Sequence, residues 1–139
     1  MSKILIVEDE QAIRRVLKKI LSEEDNSHEI IEAENGIEAL NLIKKNQLDL
    51  IISDIKMPKV DGIEVLAYVK KNNSDIPVIM ISGHGDLDLA VDCMKKGAYD
   101  YISKPPDLNR LLTTVRNALD RKKLIVENRL LKKRIVSDF

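Results

Sequence analysis

The 139-residue sequence predicts a single α/β domain with a five-stranded parallel sheet covered by helices on both faces, a doubly wound (βα)5 arrangement. Short, mostly apolar runs typical of strands buried on both sides recur five times along the chain. Each run is followed by a segment whose apolar residues fall at helical spacing. The mass of 15.8 kDa suits one domain of this kind.

The strand candidates differ in strength. Residues 4–7 form the clearest one, because they are four consecutive apolar residues rich in β-branched side chains. Residues 28–33 form the weakest one, because only Ile30 and Ile31 at its centre are large and apolar. The predicted strands cover residues 4–7, 28–33, 48–53, 77–81 and 99–103.

Helices are predicted after each strand, from apolar residues at intervals of three and four. Asn35-Gly36 and Asp61-Gly62 are turn formers that separate elements, and Gly97 is predicted to cap the fourth helix. The last helix is expected to extend into a linker, because residues 107–136 contain neither glycine nor proline. The apolar stripes of the predicted helices lie within residues 13–21, 37–43, 63–69, 87–94 and 108–115.

The charges divide the chain into two parts. The 23 Lys and Arg residues balance the 23 Asp and Glu residues, so the formal net charge is zero. After residue 120, however, seven basic residues face two acidic ones, which leaves an acidic excess in the first 120 residues. We therefore predict a domain over residues 1–120 and a basic linker helix over 121–139.

Several function classes are disfavoured by composition. Cys93 is the single cysteine, which excludes an intrachain disulfide and a multi-cysteine zinc site. Aromatic residues make up 3% of the chain and tryptophan is absent, so a stacking platform for single-stranded nucleic acid is not expected. The apolar run at the N-terminus is too short for a signal peptide, and a cytoplasmic location without a membrane span is expected.

Chemically active side chains follow four of the five predicted strands. Glu8 and Asp9 follow the first strand, Asp54 the third, Ser82 the fourth and Lys104 the fifth. In an open parallel sheet, the carboxyl ends of the strands meet at one edge, where such folds place their ligand sites. We expect these side chains to share that edge.

Carboxylates that lie close together need a cation, and carboxylate oxygens suit Mg²⁺, which usually binds together with a phosphoryl group. Lys104 would add a fixed positive charge, and Ser82 a hydrogen-bond donor. Phosphoryl transfer needs mainly positioning and charge neutralisation, and a carboxylate can itself act as the nucleophile. Asp54 is the natural candidate for that role, with Glu8 and Asp9 holding the metal beside it.

Four motifs stand at the ends of these strands: Val7-Glu8-Asp9-Glu10, Asp54-Ile55-Lys56-Met57-Pro58 followed by Asp61-Gly62, Ser82-Gly83, and Lys104-Pro105. In these motifs the sequence resembles the receiver domain of two-component response regulators, over roughly residues 3–120. A flavodoxin-like fold is implied. The acidic pair is Glu-Asp where Asp-Asp is common, and the hydroxyl residue is Ser where Thr is commoner; both are frequent variants in this family.

The resemblance implies a role for each matching residue. Asp54 would accept a phosphoryl group from a sensor histidine kinase. Mg²⁺ would be bound by Asp9, by the Asp54 carboxylate and by the Lys56 backbone carbonyl, with Glu8 acting through a metal-bound water. Ser82 and Lys104 would contact the phosphoryl oxygens, and Ser82 and Tyr101 would form the switch. The domain would be a phosphoacceptor rather than a turnover enzyme, catalysing only its own phosphotransfer and dephosphorylation.

Further motifs are similar to those of the NtrC class, whose members activate sigma-54 promoters. Those regulators carry an ATPase and a DNA-binding domain after the receiver, so this chain is expected to be an N-terminal receiver with the start of its linker. DNA or sigma-54 polymerase would be reached only through domains absent from this chain. The motifs are Ser82-Gly83-His84-Gly85, Tyr99-Asp100-Tyr101 and Glu127-Asn128-Arg129.

The linker carries a short seam of Leu124, Asn128, Leu131 and Ile135, which is typical of a two-stranded coiled coil. Two heptads are too few to be stable alone, so we expect a homodimer formed by the linker together with the last strand and the last two helices of the domain. A solvated basic helix is the alternative.

Other functions compete with the phosphorylation switch. A Mg²⁺-dependent aspartyl-phosphate phosphatase or phosphotransferase would usually have a second Asp two residues after the nucleophile, where this chain has Lys56. An unphosphorylated interaction module would have a broken acidic set. Individually, Glu8 and Asp9 could merely cap a helix, and Lys104 could be a solvated surface lysine. A dinucleotide site is disfavoured, because the first strand-to-helix turn is acidic and lacks glycine.

Overall fold

In a computed structural model, the described residues are 2–25, 27–57, 60–72, 75–83, 87–104 and 106–137, with side chains up to residue 131. Pro58, His84, Gly85 and Pro105 of the predicted motifs lie outside these residues, as does the side chain of Ile135. The elements are β1 (Lys3–Val7), α1 (Gln11–Glu24), β2 (Glu29–Ala33), α2 (Gly36–Lys45), β3 (Leu50–Asp54), α3 (Gly62–Asn72), β4 (Val78–Ser82), α4 (Leu87–Lys95), β5 (Asp100–Ser103) and α5 (Leu108–Ser137).

The five strands form one parallel sheet in the order β2-β1-β3-β4-β5. The predicted fold class is confirmed, and the strand order, which the sequence left open, is now defined. The chain moves outward to β2 and then returns past β1 to β3, so the sheet has its switch point between β1 and β3. Ligands of open α/β sheets bind at the carboxyl ends of the strands at such a point.

Both faces of the sheet are buried, as the unbroken apolar runs predict. Leu5 and Val7 of β1 face a core closed by α2, α3 and α4, whereas Ile4 and Ile6 face a second core closed by α1 and α5. The two cores hold every strand between two layers of helix. Rigid strands of this kind fix the side chains at their ends.

Asn35-Gly36 and Asp61-Gly62, which the sequence suggests as turns, each begin a helix. The Asn35 side chain accepts a hydrogen bond of 2.8 Å from the Glu38 backbone N–H, and the Asp61 side chain accepts one of 3.0 Å from that of Glu64. These are N-caps of α2 and α3, a use that asparagine and aspartate share with turns.

The predicted cap at Gly97 is confirmed. Gly97 has a φ of 103°, a left-handed conformation that favours glycine. The backbone N–H of Ala98 donates to the Cys93 carbonyl over 3.0 Å, and that of Gly97 donates to the Met94 carbonyl over 3.2 Å. This is the Schellman pattern, and it ends α4 at the start of the turn that leads to β5.

The last helix, α5, continues without a break for 30 residues. Beyond residue 120 it still contacts the body of the domain. Lys122 Nζ lies 2.7 Å from Asp49 Oδ1 and 3.1 Å from the Leu48 carbonyl oxygen, and Arg129 forms an ion pair with Asp75. The predicted extension of the helix is confirmed, and part of its basic charge is matched by acids of the domain. Among the described helices, none combines the length and the apolar character needed to cross a membrane.

Candidate phosphoryl site at the carboxyl edge of the sheet

The carboxyl ends of β1, β3 and β5 are held by backbone hydrogen bonds that continue the sheet. The Glu8 N–H donates to the Ala33 carbonyl over 3.0 Å, and the Ile55 N–H to the Ile81 carbonyl over 3.1 Å. The Lys104 N–H likewise donates to the Ser82 carbonyl over 2.8 Å. These bonds fix the backbone at the positions from which the predicted site residues project.

Lys104 joins two carboxylates that are far apart in the sequence. Its Nζ lies 2.8 Å from Glu8 Oε1 and 2.9 Å from Asp54 Oδ2, and it is 4.0 Å from Glu10 Oε1. The Lys104 side chain is only 17% exposed, so it is not a solvated surface lysine. The three predicted residues Glu8, Asp54 and Lys104 therefore form one buried cluster.

The electrostatics of the cluster are unbalanced, because two buried carboxylates share one ammonium group. Burial, reinforced by the nearby Asp54 carboxylate and only partly opposed by Lys104, raises the pKa of Glu8 to about 8. Burial alone would lower the pKa of Lys104, but its hydrogen bonds to Glu8 and Asp54 outweigh that effect and raise the pKa. With both carboxylates ionised, the arrangement therefore lacks one positive charge, and either a proton on Glu8 or a bound cation can supply it.

The acidic loop, residues 8–10, supplies oxygen atoms for a cation. Glu8, Asp9 and Glu10 each offer a carboxylate oxygen, and these atoms lie within 4.8 Å of one another. Glu8 Oε2 is buried without a hydrogen-bond partner among the described residues. A buried oxygen of this kind needs a partner, and an all-oxygen donor set suits Mg²⁺. The residues present fit that ion.

Glu10 is a potential ligand that the sequence analysis did not assign. It lies at the N-cap of α1, but its side chain makes no capping hydrogen bond. Glu8 and Asp9 are therefore not ordinary helix caps. The N-cap of α1 is Glu10, which follows them, and the first turn of the helix contains no acidic residue. The run of three acids was the available signal for Glu10.

The remaining predicted residues lie on or just after β3, β4 and β5. Ser82 is the last residue of β4, only 3% exposed, and pairs with Ser103 of β5. Tyr101 is half-buried on β5, where it packs against the core closed by α2, α3 and α4. The Lys56 side chain is exposed, two residues beyond Asp54. The roles expected for these three residues stay predictions.

The backbone of Gly62 lies very close to the backbone of Asp54. Its N–H donates to the Ile55 carbonyl over 2.8 Å, and a Cβ atom at this position would lie 2.1 Å from the Asp54 carbonyl oxygen. The sequence indicated only that Asp61-Gly62 separates two elements. In the structure, the missing side chain of Gly62 leaves space for the Asp54 carbonyl.

A protein family matches most of the chain. A family model described as "Response regulator receiver domain" matches residues 4–116 of this chain. The chain therefore belongs to the response regulator receiver family. Receiver domains of this family are signalling domains that take phosphoryl groups from histidine kinases, and they generally use Mg²⁺ at an acidic pocket.

Curated relatives of this receiver are longer proteins. The C4-dicarboxylate transport transcriptional regulatory protein DctD of Pseudomonas aeruginosa is 35% identical over 140 residues, covering 94% of this chain and 28% of that protein. The putative response regulator NtrX-like of Rickettsia typhi is 37% identical over 135 residues, covering 96% of this chain and 28% of that protein. The receiver thus spans little more than a quarter of the length of these relatives.

Solved receiver structures agree with the fold described above. NtrX from Brucella abortus superposes with a TM-score of 0.88 at 38% identity, covering 96% of this chain and 30% of that one. The receiver is of the type found in NtrC, NtrX and DctD regulators, and it serves as a phosphorylation-dependent signalling switch.

Proposed function

We propose that Asp54 is the phosphoacceptor of this receiver and that a sensor histidine kinase is the donor. The observation that carries the proposal is the buried cluster in which Lys104 contacts both Asp54 and Glu8. Asp54 is only 6% exposed and ends β3 beside the switch point of the sheet. A carboxylate held there presents a nucleophilic oxygen to a ligand at the sheet edge.

The transfer is an exchange of one bond to phosphorus for another. An Asp54 carboxylate oxygen forms a bond to phosphorus while the bond from phosphorus to the donor nitrogen of the kinase histidine breaks, and that nitrogen retains the electron pair. Lys104, held at a fixed distance from Asp54, neutralises charge on the transferred group. The Ser82 hydroxyl is proposed to donate a hydrogen bond to a phosphoryl oxygen.

The proposed Mg²⁺ ligands are the carboxylates of Asp9 and Asp54 and the backbone carbonyl of Lys56, with Glu8 acting through a metal-bound water. The raised pKa of Glu8 and its unpartnered oxygen support a cation at this edge. When bound, Mg²⁺ supplies charge neutralisation for the transferred phosphoryl group. The chain's contribution is to hold the carboxylates in place before the ion arrives.

Ser82 and Tyr101 are the proposed switch residues. Ser82 lies beside Ser103 at the end of β4, and Tyr101 is on the neighbouring strand β5. A movement of the Ser82 side chain toward a phosphoryl oxygen would change the space available to Tyr101. The surface formed by α4, β5 and α5 would change with it.

The phosphoacceptor proposal is tested by intact-mass measurement. With Mg²⁺ and a small-molecule phosphodonor, the protein should gain one phosphoryl group, and the Asp54→Asn variant should gain none. Asp49→Asn is the matched control, because Asp49 lies at the opposite end of the same sheet and should leave the gain unchanged. No gain in the unmodified protein, or an equal gain in Asp54→Asn, would contradict the proposal.

A Mg²⁺-dependent aspartyl phosphatase is the competing function. The exposed Lys56 two residues beyond Asp54 disfavours it, because such enzymes usually have a second acid there. Many turnovers of a phosphomonoester per protein molecule, lost in Asp54→Asn, would favour the enzyme over the switch.

We further propose that this receiver controls transcription through an ATPase and a DNA-binding part of an NtrC-like, sigma-54-dependent regulator, and that α5 beyond residue 120 is its linker and dimer helix. Exposed apolar side chains on this stretch support the dimer; Leu124 is 64% and Leu131 56% exposed. Both belong to the predicted seam.

Sedimentation tests the dimer. Leu131→Glu should lower the dimer fraction, with or without a phosphoryl mimic, because it places charge in the seam. Leu130→Glu is the control, since Leu130 is equally exposed at 63% but lies outside the seam. Equal masses for both variants and the unmodified protein would contradict dimerisation through this helix.

A further inference from the structure

Arg14 is a buried cation of α1 that no step described so far uses. It is only 8% exposed, although arginine is rarely buried unless its charge is paired. Its guanidinium points back toward the carboxyl edge of the sheet. Arg14 Nη1 donates a hydrogen bond of 2.9 Å to the backbone carbonyl of Glu8.

That carbonyl lies at the point where the chain leaves the sheet. The Glu8 N–H still belongs to the ladder, since it donates to the Ala33 carbonyl over 3.0 Å. The Glu8 carbonyl is the next backbone group, and Arg14 provides the hydrogen bond for it. The peptide groups on both sides of the Glu8 side chain are therefore anchored, one by the sheet and one by Arg14.

The far end of the acidic loop is held by the start of α1. The backbone N–H at position 14 donates to the carbonyl of the N-cap residue Glu10 over 3.0 Å, which is the first hydrogen bond of the helix and does not depend on the side chain at that position. The Arg14 side chain thus anchors the first residue of the loop, and the helix anchors the last. Asp9 lies between these two anchors, and the freedom of the loop to move is reduced accordingly.

Two acids from the neighbouring strand orient the guanidinium. Arg14 Nε lies 3.4 Å from Glu32 Oε1, and Nη2 lies 3.7 Å from Glu34 Oε1. Glu32 belongs to β2, and Glu34 follows that strand directly. These two contacts are ion pairs rather than hydrogen bonds, and Nε has no hydrogen-bond partner among the described residues, so the directed contact of the guanidinium is the bond from Nη1 to the Glu8 carbonyl. An arginine places separate nitrogens toward the two acids and the carbonyl, whereas a lysine has a single nitrogen for them.

We propose that Arg14 is a positioning residue for Mg²⁺: it fixes the backbone of the acidic loop, and thereby presents the carboxylates of that loop to the ion. The proposal rests on the proposed function, because it presumes a Mg²⁺ site at this loop. Residues that orient metal ligands in this indirect way typically change metal affinity by 10- to 100-fold when they are replaced.

The experiment compares Arg14→Met with Arg15→Met in the full chain. Arg15 is its exposed neighbour on the same helix, and it serves as the matched control. Titration calorimetry with Mg²⁺ alone should show a dissociation constant raised about tenfold in Arg14→Met and unchanged in Arg15→Met. Arg14→Lys should fall between the two, because it retains the charge but not the fork.

A second readout needs no metal. Amide hydrogen exchange measured without Mg²⁺ should accelerate in Arg14→Met at residues 8 and 14, whose N–H groups donate to the Ala33 and Glu10 carbonyls, while the amides of β3 and β4 keep their protection. Should Arg14→Met fail to fold, Glu32→Gln combined with Glu34→Gln releases the guanidinium without removing it. The same local acceleration and weaker binding are then expected.

The outcomes separate this inference from the proposed function. If the unmodified protein does not bind Mg²⁺, the proposed metal site itself is wrong. If it binds Mg²⁺ and a folded Arg14→Met protein binds equally well, Arg14 contributes only to stability and the inference is overturned. Acceleration spread uniformly over the sheet would also overturn it.

Discussion

The two ends of β3 each carry an aspartate paired with a lysine, but the charges are matched at one end and unmatched at the other. At the amino end, Asp49 accepts from Lys122 Nζ over 2.7 Å and from the Lys3 backbone N–H over 2.8 Å. Burial alone would raise the pKa of Asp49, but these two donors outweigh it, so the pKa is lowered. At the carboxyl end, Asp54 shares Lys104 with a second carboxylate, and the pKa of Glu8 rises to about 8.

The difference lies in the number of partners rather than in the residue types. Asp49 has its own ammonium group and a backbone donor, so nothing further is required there and the pair ties α5 to the sheet. The cluster at Asp54 has more carboxylate than cation, which is costly while it is empty and favourable when a cation binds. An ion-binding site can thus be distinguished from a structural ion pair by its unmatched charge.

Gly62→Ala should have the largest effect, because the added Cβ would clash with the backbone at the carboxyl end of β3. The added Cβ would lie 2.1 Å from the Asp54 carbonyl oxygen, and the backbone has to move. We expect a loss of about 4 kcal/mol in the free energy of unfolding, measured by urea denaturation, together with reduced phosphorylation by intact mass. Gly97→Ala is the control: its left-handed backbone should cost about 1 kcal/mol and leave phosphorylation unchanged. Normal phosphorylation of a folded Gly62→Ala protein would contradict the account.

Lys104→Met should have the next largest effect. Removing the shared ammonium leaves two buried carboxylates facing each other, and breaking a buried pair in this way costs about 3 kcal/mol. The loss, measured by urea denaturation in EDTA, should be larger at pH 8 than at pH 5, because protonation relieves the repulsion at low pH. A loss that does not depend on pH would show that the carboxylates do not interact through this site.

Glu8→Gln should change the pH dependence of stability. The pKa of Glu8 is raised from 4.5 to about 8 in the folded protein. Between these values the folded state holds more protons than the unfolded state, so the free energy of unfolding falls as the pH rises, by up to about 1.4 kcal/mol per pH unit. Urea denaturation in EDTA at pH 5 to 8 should show this fall for the unmodified protein and a weaker one for Glu8→Gln. Identical slopes would contradict the raised pKa.

Lys122→Met should have the smallest effect, about 1 kcal/mol at pH 7, because the pair it breaks is partly exposed and screened by solvent. The pKa of Asp49 is lowered from 3.8, so this contribution is present above that value and is lost as the pH falls through the folded pKa. The difference from the unmodified protein should therefore shrink under acid conditions. Phosphorylation by mass should be unaffected, whereas a loss of phosphorylation would mean that the two ends of β3 are coupled.

Much of the fold was predictable because its signals are local. Unbroken apolar runs such as residues 4–7 and helical stripes such as 13–21 depend on the burial of each element, and the structure confirms the five strands and five helices. The strand order was not predictable from these patterns, because it depends on which strand pairs with β1. The clustering of Glu8, Asp54 and Lys104 followed from the rule that parallel strands end at one edge.

What the sequence did not show depends on pairs of groups distant along the chain. Gly62 was predicted only to separate two elements, because nothing in the nearby sequence indicates that the Asp54 carbonyl approaches it. Arg14 lies beside the apolar residues of the first predicted helix and carried no signal of its own, because only the fold brings it to the Glu8 carbonyl. The basic charge after residue 120 had no evident partner in the sequence. In the structure, Lys122 pairs with Asp49 and Arg129 with Asp75, both at the amino edge of the sheet.

The unbroken course of α5 gives the domain a lever. From Arg129, where the helix is tied to Asp75, the helix continues for about 12 Å to Ser137, at 1.5 Å per residue. A rotation of about 10° around that tie would move the far end by roughly 2 Å, given this length. Because the tie lies at the edge of the sheet opposite Asp54, a small change inside the domain would be magnified with distance along the helix.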